Sequence, residues 1–289
     1  MTYRELYEQG VLALGKAGVE EDKLDARLLL EYVCKTDRTT LLAHPQRPVT
    51  SKETEEYEEA LQQRMRHVPL QYIMGSTEFM GLPFHVNPNV LIPRQDTETL
   101  VEEAMRFLMD GSRLLDIGCG SGCILLSLLH YSNHCTGMAV DISPGALECA
   151  RENAQLLADT YPQDADLLQR VTFAESDLLS GVDGTFDMIL SNPPYIATDV
   201  VKTLMPEVKD HEPLSALDGG TGGLDLYEKL IPDSITHLTP GGSLLVEIGY
   251  DQGEAVKALF EQSGYIRVEV VKDLAGNDRV VRGIKSQLR

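Results

Sequence analysis

Four consecutive residues, Asn192-Pro193-Pro194-Tyr195, combine types that can grip an amine. The two prolines restrict φ and remove two backbone donors. That restriction holds the Asn192 side-chain oxygen and the Pro193 carbonyl as two fixed acceptors. Two acceptors match the two hydrogens of a planar NH₂ group, and the Tyr195 ring can lie over its flat face. Such a device suits an amide or an exocyclic amine whose nitrogen attacks an electrophilic methyl group. The tetrapeptide follows the apolar run FDMILS, so it reads as a loop beyond the carboxyl end of a strand.

A second cluster, Asp116-Ile117-Gly118-Cys119-Gly120-Ser121-Gly122, separates a strand pattern from a helical one. Glycines at such a turn let the backbone pass close to a ligand. The spacing is G-x-G-x-G rather than the dinucleotide G-x-G-x-x-G, and no Gly-Lys-Ser/Thr of a phosphate loop follows. Asp141 ends the next strand pattern, where a carboxylate can accept the hydroxyls of a ribose. A glycine loop with this Asp, and without phosphate machinery, suits a nucleoside ligand such as S-adenosylmethionine. A tight turn followed by a helix-capping Asp would leave the same pattern.

Other clusters carry less chemistry. His130, His134 and Cys135 share a helix face but read as a helix end rather than a metal site, and no metal is expected. Cys119 and Cys123 read as packing. The five carboxylates between Glu53 and Glu59 read as a solvated helix face. Arg94, just after Pro93, reads either as a crevice residue or as half of a structural ion pair.

The elements that must position these groups follow from periodicity. Residues 1–70 repeat Leu at helical spacing (Leu6, Leu12, Leu14; Leu24, Leu28, Leu29) without a strand signal, which predicts a small helical bundle, with Ser51 as a helix N-cap. Residues 71–96 are broken by Gly75, Gly81, Pro83, Pro88 and Pro93 and predict a hairpin-bearing linker. Residues 97–289 begin with a helix capped by Thr97. From residue 113 apolar strands alternate with helices, which predicts a buried, mostly parallel α/β sheet of seven strands. A late antiparallel return completes it.

Charge and cysteine usage bound the partners. Lys and Arg number 25 against 45 Asp and Glu, a formal net charge of −20. Residues 1–90 carry 10 basic and 14 acidic residues, and the remainder carries 15 and 31. A field of this sign repels nucleic acid, whose binding depends on Lys and Arg neutralising phosphates. Five cysteines form no C-x-x-C pair, MTYRELYEQG lacks a signal-peptide pattern, and no apolar run is long enough to cross a bilayer. A reduced, cytoplasmic setting away from membranes is the expectation.

Further motifs make the likeness specific. Gln71-Tyr72-Ile73-x-Gly75, Phe79-x-Gly81, Val90-Leu91-Ile92-Pro93-Arg94 and Thr97-Glu98-x-Leu100-Val101 precede the glycine loop. Glu212-Pro213, Gly219-Gly220, Gly223-Leu224, Pro240-Gly241-Gly242, Glu247-Ile248-Gly249 and Arg279 follow it. With Asn192-Pro193-Pro194-Tyr195 between them, the chain resembles the HemK-type protein N5-glutamine methyltransferases that modify peptide chain release factors. The resemblance spans residues 71–282, and the helical first segment also fits.

The resemblance implies a Rossmann-like, seven-stranded class I methyltransferase domain that uses S-adenosylmethionine. Gly118, Cys119, Gly120, Ser121 and Gly122 would line the methionine side, Asp141 would hold the ribose, and Asp177 with Leu178 would border the adenine. Asn192, Pro193, Pro194 and Tyr195 would hold the substrate glutamine, with Asn192 near both ligands and Arg94 at the crevice. The helical segment would dock a release factor. Cys119 stands where Thr is frequent, Leu178 where an aromatic residue is common, and Gly222 where an acidic residue is usual. Two other readings share parts of this pattern. Adenine-N6 or guanine-N2 nucleic-acid methyltransferases use the same amine grip, and a non-enzymatic S-adenosylmethionine-binding adaptor would need only the glycine loop.

Overall fold

Thr2 and Thr50 each open a helix by a reciprocal bond. Each hydroxyl accepts from the N–H three residues on, and Glu5 and Glu53 accept from the threonine's own N–H. The expected cap at Ser51 therefore moves one residue back, because Thr50 is the residue with a glutamate three positions ahead.

The computed structural model describes residues 1–287. The chain forms two compact units: Met1–Gly75 with Met205–His211, and Ser76–Leu204 with Glu212 onward. The first unit contains helices Tyr3–Lys16, Asp22–Cys34, Arg38–Ala43, Ser51–Met65 and Leu70–Met74. Leu6, Leu14, Leu29, Leu30 and Tyr57 fill its core. The Tyr57 hydroxyl donates to the Ala26 carbonyl at 3.0 Å. A Cβ on Gly10 would stand 2.1 Å from that hydroxyl, so close packing demands glycine there. Arg64 binds Asp25 at 2.6 Å, both buried, and also pairs with Glu207. That triad fastens the segment 205–211 within the helical unit.

The second unit opens with strands β1 (Ser76–Phe79) and β2 (Leu82–His85). Met80 and Gly81 between them both take positive φ, the conformation that lets a two-residue turn follow the twist of a hairpin. Asn153 acts as a side-chain partner for the edge of β2. Its Oδ1 accepts from the His85 N–H at 2.6 Å and its Nδ2 donates to the His85 carbonyl at 3.0 Å.

Seven further strands build one sheet: β3 (Arg113–Ile117), β4 (Thr136–Asp141), β5 (Val171–Glu175), β6 (Phe186–Ser191), β7 (Leu238–Glu247), β8 (Tyr265–Lys272) and β9 (Asp278–Lys285). Their order is β5-β4-β3-β6-β7-β9-β8, with β9 antiparallel to both neighbours and the β5-to-β7 pairings parallel. The seven strands and the late antiparallel return match the expectation. Strand alternation sorts the apolar side chains into two cores. Leu114, Met188, Leu190 and Leu245 enter one, and Leu115, Ile117, Ile189, Leu244 and Val246 enter the other. Burial on both faces is why these strands read as continuous apolar runs. From β3 the chain runs outward through β4 and β5, then returns to the other side of β3 as β6. The crevice at that reversal lies beyond the carboxyl ends of β3 and β6, where open α/β sheets take their ligands.

Candidate functional site

A cleft of about 700 Å³ lies at this reversal. Gly118, Cys119, Gly120 and Ser121 line it from the end of β3, Asp141 from β4, Asp177 and Leu178 beyond β5, and Asn192 and Pro194 beyond β6. Arg94 lines it as well. Pro193, Tyr195 and Gly122, named with them from the sequence, are not among the lining residues. Gly122 begins helix Cys123–Tyr131 with φ of 79°, and a Cβ there would stand 3.1 Å from both Ala150 and Leu126, so packing accounts for it.

The glycine turn spends four of the five N–H groups of residues 118–122 inward. The N–H groups of Gly118 and Cys119 both donate to the Val140 carbonyl, at 2.8 and 3.0 Å, and that of Gly122 donates to the Cys119 carbonyl. The Gly120 N–H donates to Asp141 Oδ2 at 2.9 Å. A phosphate cradle needs such donors aimed at the ligand, and this turn directs few of them into the cleft. Asp141 also accepts from the Ser143 N–H at 2.9 Å, while Ser143 itself caps helix Pro144–Thr160. A carboxylate has about four acceptor positions. The remaining ones are available to hydroxyl groups in the cleft.

Beneath the turn, Asp116 is fully buried and neither carboxylate oxygen makes a well-formed hydrogen bond among the described residues. Burial first, and also the nearby Asp141 charge, push it up to about 7, against a weaker pull from the Leu125 N–H. Leu178 borders the cleft with φ of 51°, a left-handed conformation rare outside glycine. The Ser176 hydroxyl holds it there, donating to the Leu178 carbonyl at 2.8 Å while accepting from the Gly181 N–H. Together the glycine turn, Asp141 and Leu178 fit the parts of S-adenosylmethionine: a methionine chain passing close to backbone, a ribose and a flat base.

The Asn192–Tyr195 turn is held from behind. Asn192 Nδ2 donates to Thr97 Oγ1 at 3.2 Å, and the Tyr195 hydroxyl donates to Glu247 Oε1 at 3.3 Å. Tyr195 packs against the second core rather than lying open in the cleft, so its ring is an anchor in this arrangement and not a free stacking face. Gln252 Nε2 donates to the Tyr195 carbonyl at 3.0 Å and to the Gly223 carbonyl at 3.2 Å. The Gly219 N–H donates to the Ile196 carbonyl, which ties the 217–223 segment alongside. Arg94 pairs with Glu212 at 2.5 Å, with the carboxylate buried and the guanidinium partly open to the cleft. Both readings of Arg94 therefore coexist. Burial drives Glu212 above the usual carboxylate range, against the pull of Arg94.

Thr97 is the largest departure from expectation. It sits in the helical region, with φ of −66° and ψ of −20°, as the last residue of a 3₁₀ turn spanning Gln95–Thr97, and its side chain makes no capping bond among the described residues. Its hydroxyl serves Asn192 instead. Glu247, a carboxylate ending the apolar strand β7, is likewise a site neighbour that its own segment does not reveal. A charge within SLLVEIG is the available signal, as Asp116 is within RLLDI. His130, by contrast, binds the buried Asp164, which Arg170 also contacts, in a structural cluster. Among the described residues, no group of three or more His, Cys, Asp or Glu is placed to hold a metal ion, and no helix is long and apolar enough to cross a membrane.

Comparison with known proteins agrees with this geometry. The PrmC N-terminal domain family matches residues 5–75, and the methyltransferase small domain family matches residues 95–208. A release factor glutamine methyltransferase of Caulobacter vibrioides is 41% identical over 278 residues, covering 95% of this chain and 93% of that protein. One of Moorella thermoacetica is 42% identical over 283 residues, covering 96% and 97%. A methyltransferase from Pyrococcus furiosus superposes with a TM-score of 0.53 at 22% identity, covering 72% of this chain and 91% of that one. The last likeness speaks to the fold alone, a Rossmann-like methyltransferase sheet. Near-complete coverage at this identity, joined to the cleft at the strand reversal, leads to one assignment: the chain belongs to the release factor glutamine methyltransferase family.

Proposed function

We propose that this chain methylates the side-chain amide nitrogen (N5) of the glutamine in the Gly-Gly-Gln motif of peptide chain release factors. The observation that carries the proposal is the position of Asn192 in one cleft with the glycine turn, Asp141 and Leu178. An amine-gripping group and a nucleoside subsite would thus share one cleft. Bound S-adenosylmethionine supplies a sulfonium methyl group open to displacement, with S-adenosylhomocysteine as the product. Gly118 to Ser121 would border its methionine portion, Asp141 would accept from the ribose hydroxyls, and Asp177 and Leu178 would border the adenine.

An amide nitrogen is a poor nucleophile because its lone pair is delocalised into the carbonyl. Asn192 Oδ1 and the Pro193 carbonyl would accept hydrogen bonds from its two N–H groups, which fixes its direction and favours the positive charge that develops on it, and one of those protons leaves to solvent after the methyl group has moved. Pro194 limits the turn's freedom. Tyr195, tied to Glu247, keeps the two acceptors in register. Positioning of this kind accounts for much of the gain that an enzyme can offer a weak nucleophile. Arg94 borders the entry and orients the incoming loop, and the helical unit docks the body of the release factor.

The net charge of −20 separates this reading from a nucleic-acid amine methyltransferase, which would share the grip but need a basic surface. An adaptor that only bound the nucleoside would have no use for Asn192. The deciding experiment is labelled-methyl transfer to a release factor, to its Gly-Gly-Gln Gln→Ala variant, and to DNA. Label on the intact release factor alone supports the proposal. Label on DNA, or equal label on the Gln→Ala protein, rejects it.

A further inference from the structure

Asn192 can serve as an acceptor only if its amide presents Oδ1, not Nδ2, to the cleft. The two orientations have nearly the same shape, so packing does not choose between them. The choice falls to the group behind the amide, Thr97 Oγ1 at 3.2 Å. A hydroxyl can donate to Asn192 Oδ1 or accept from Nδ2. Which it does depends on where its single proton is used.

We propose that Thr97 and Glu247 are positioning residues that set which end of the Asn192 amide faces the cleft, with Glu247 taking the Thr97 proton so that Thr97 can only accept. The inference rests on the reading of Asn192 as the acceptor for the substrate amide. Glu247 ends β7 almost fully buried, and its Oε1 also accepts from Tyr195. Tyr195 is tied to this carboxylate directly, and the Thr97 hydroxyl behind Asn192 lies beside it, near enough to favour its ionised form although no well-formed hydrogen bond joins the two among the described residues. Its Oε2 has no hydrogen-bond partner among the described residues.

The arrangement has a protonation state built into it. Ionised Glu247 is acceptor-only, so the Thr97 proton points to it and Nδ2 of Asn192 faces Thr97. Protonated Glu247 can donate to Thr97, whose own proton is then free for Asn192 Oδ1. The amide turns over and its NH₂ faces the cleft, where it opposes the N–H groups of a substrate amide. Burial pushes Glu247 up to about 7, opposed by the neighbouring Thr97 hydroxyl, by Arg279 from β9 and by the Tyr195 bond, and assisted by Asp96 from the 3₁₀ turn. Tyr227, whose hydroxyl donates to the Glu247 backbone carbonyl at 2.6 Å, and Cys123 also face it. Arg279 is in turn shared with Asp96 at 3.0 Å and Asp273 at 3.1 Å.

The test compares Thr97→Val, Thr97→Ser and Glu247→Gln with the wild type in methyl transfer to a release factor across pH. The Asn192 side-chain amide is followed by NMR in the ligand-free proteins. For the wild type, kcat rises with pH around a midpoint near 7, and the amide resonances shift with the same midpoint. Thr97→Val lowers kcat about 100-fold with little change in KM, the expected cost of a misdirected group, and its amide resonances no longer titrate. Thr97→Ser restores most of kcat, and Glu247→Gln is slow and flat with pH. Near-wild-type kcat in a folded Thr97→Val protein, or equal loss in Thr97→Ser, overturns the proposal. A wild type that never labels the release factor rejects the functional reading instead. The NMR titration then decides the positioning on its own: a Thr97-dependent shift supports it, and a Thr97-independent one overturns it.

Discussion

A Cβ on Gly219 would stand 2.7 Å from the carbonyl oxygen of Pro194, closer than real side chains approach a backbone oxygen. It would also lie 2.8 Å from the Tyr195 Cα. The return segment thus runs directly against the back of the amine-gripping turn, and only a residue without a side chain fits.

Gly219→Ala should therefore displace the Asn192–Tyr195 turn without opening the core. A shift of about 1 Å at reacting groups is worth roughly 100-fold in rate. Steady-state kinetics at a temperature where the variant is folded should show that loss in kcat, with a modest fall in the thermal midpoint from the overpacked contact and little change in S-adenosylmethionine affinity. A variant with wild-type kcat would mean that the turn does not depend on this contact.

Asp141→Ala removes the acceptor for the Gly120 and Ser143 N–H groups, 2.9 Å away in each case, together with the acceptor proposed for the ribose. Hydrogen bonds to a charged group contribute about 1.5–3 kcal/mol each, and about 1.4 kcal/mol is tenfold in affinity. Calorimetry should find S-adenosylmethionine binding weakened by about 10-fold to 100-fold. Unchanged binding would remove Asp141 from the nucleoside subsite.

Asp116 sets a pH dependence of stability in the ligand-free protein. Its carboxyl is pushed up to about 7 in the fold, above the ordinary value of 3.8. Between these values the native state binds more protons than the unfolded state, so stability falls as pH rises through that window. Glu247, also near 7, contributes in the same direction. Asp116→Asn should flatten the slope and raise the urea midpoint above pH 7, and urea denaturation across the pH range measures both. A steeper slope in the variant would show that Asp116 acts with the opposite sign.

In the helical unit, Arg64→Ala leaves Asp25 buried beside an empty space where its 2.6 Å partner stood. Removing one member of a buried pair costs about 3–5 kcal/mol. Denaturant titration followed by probes in the helical unit should register that loss. Adding Asp25→Ala should recover part of it, since the uncompensated charge is then gone. If the double variant is no better than the single, desolvation of Asp25 is not the cause.

Much of the site is local in the chain and legible there. The G-x-G-x-G turn, Asp141, Leu178 and Asn192 each follow a strand pattern, and strand ends in a parallel sheet converge on one edge. Arg94 carries two readings because a guanidinium after Pro93 is compatible with either, and the bond to Glu212 lies 118 positions away. Thr97 has the sequence position of a cap, since capping is the commonest use of a threonine before a helix. The Asn192 amide, 95 positions on, claims it instead. Tyr195 has the look of an open ring because nothing near it in sequence shows that Glu247 anchors its hydroxyl.

By itself the sequence determined the classes of element, the seven-stranded alternation and the types of group at the strand ends. Periodicity and turn chemistry are short-range properties, and the family motifs are contiguous. Only the tertiary structure decided which hydroxyl stands behind Asn192, which carboxylates are left without partners, and that Met205–His211 belongs to the helical unit. Those are outcomes of burial and of pairings across long stretches of chain. They arise where desolvation makes each buried polar atom find a partner or shift its protonation, and no local pattern encodes the result.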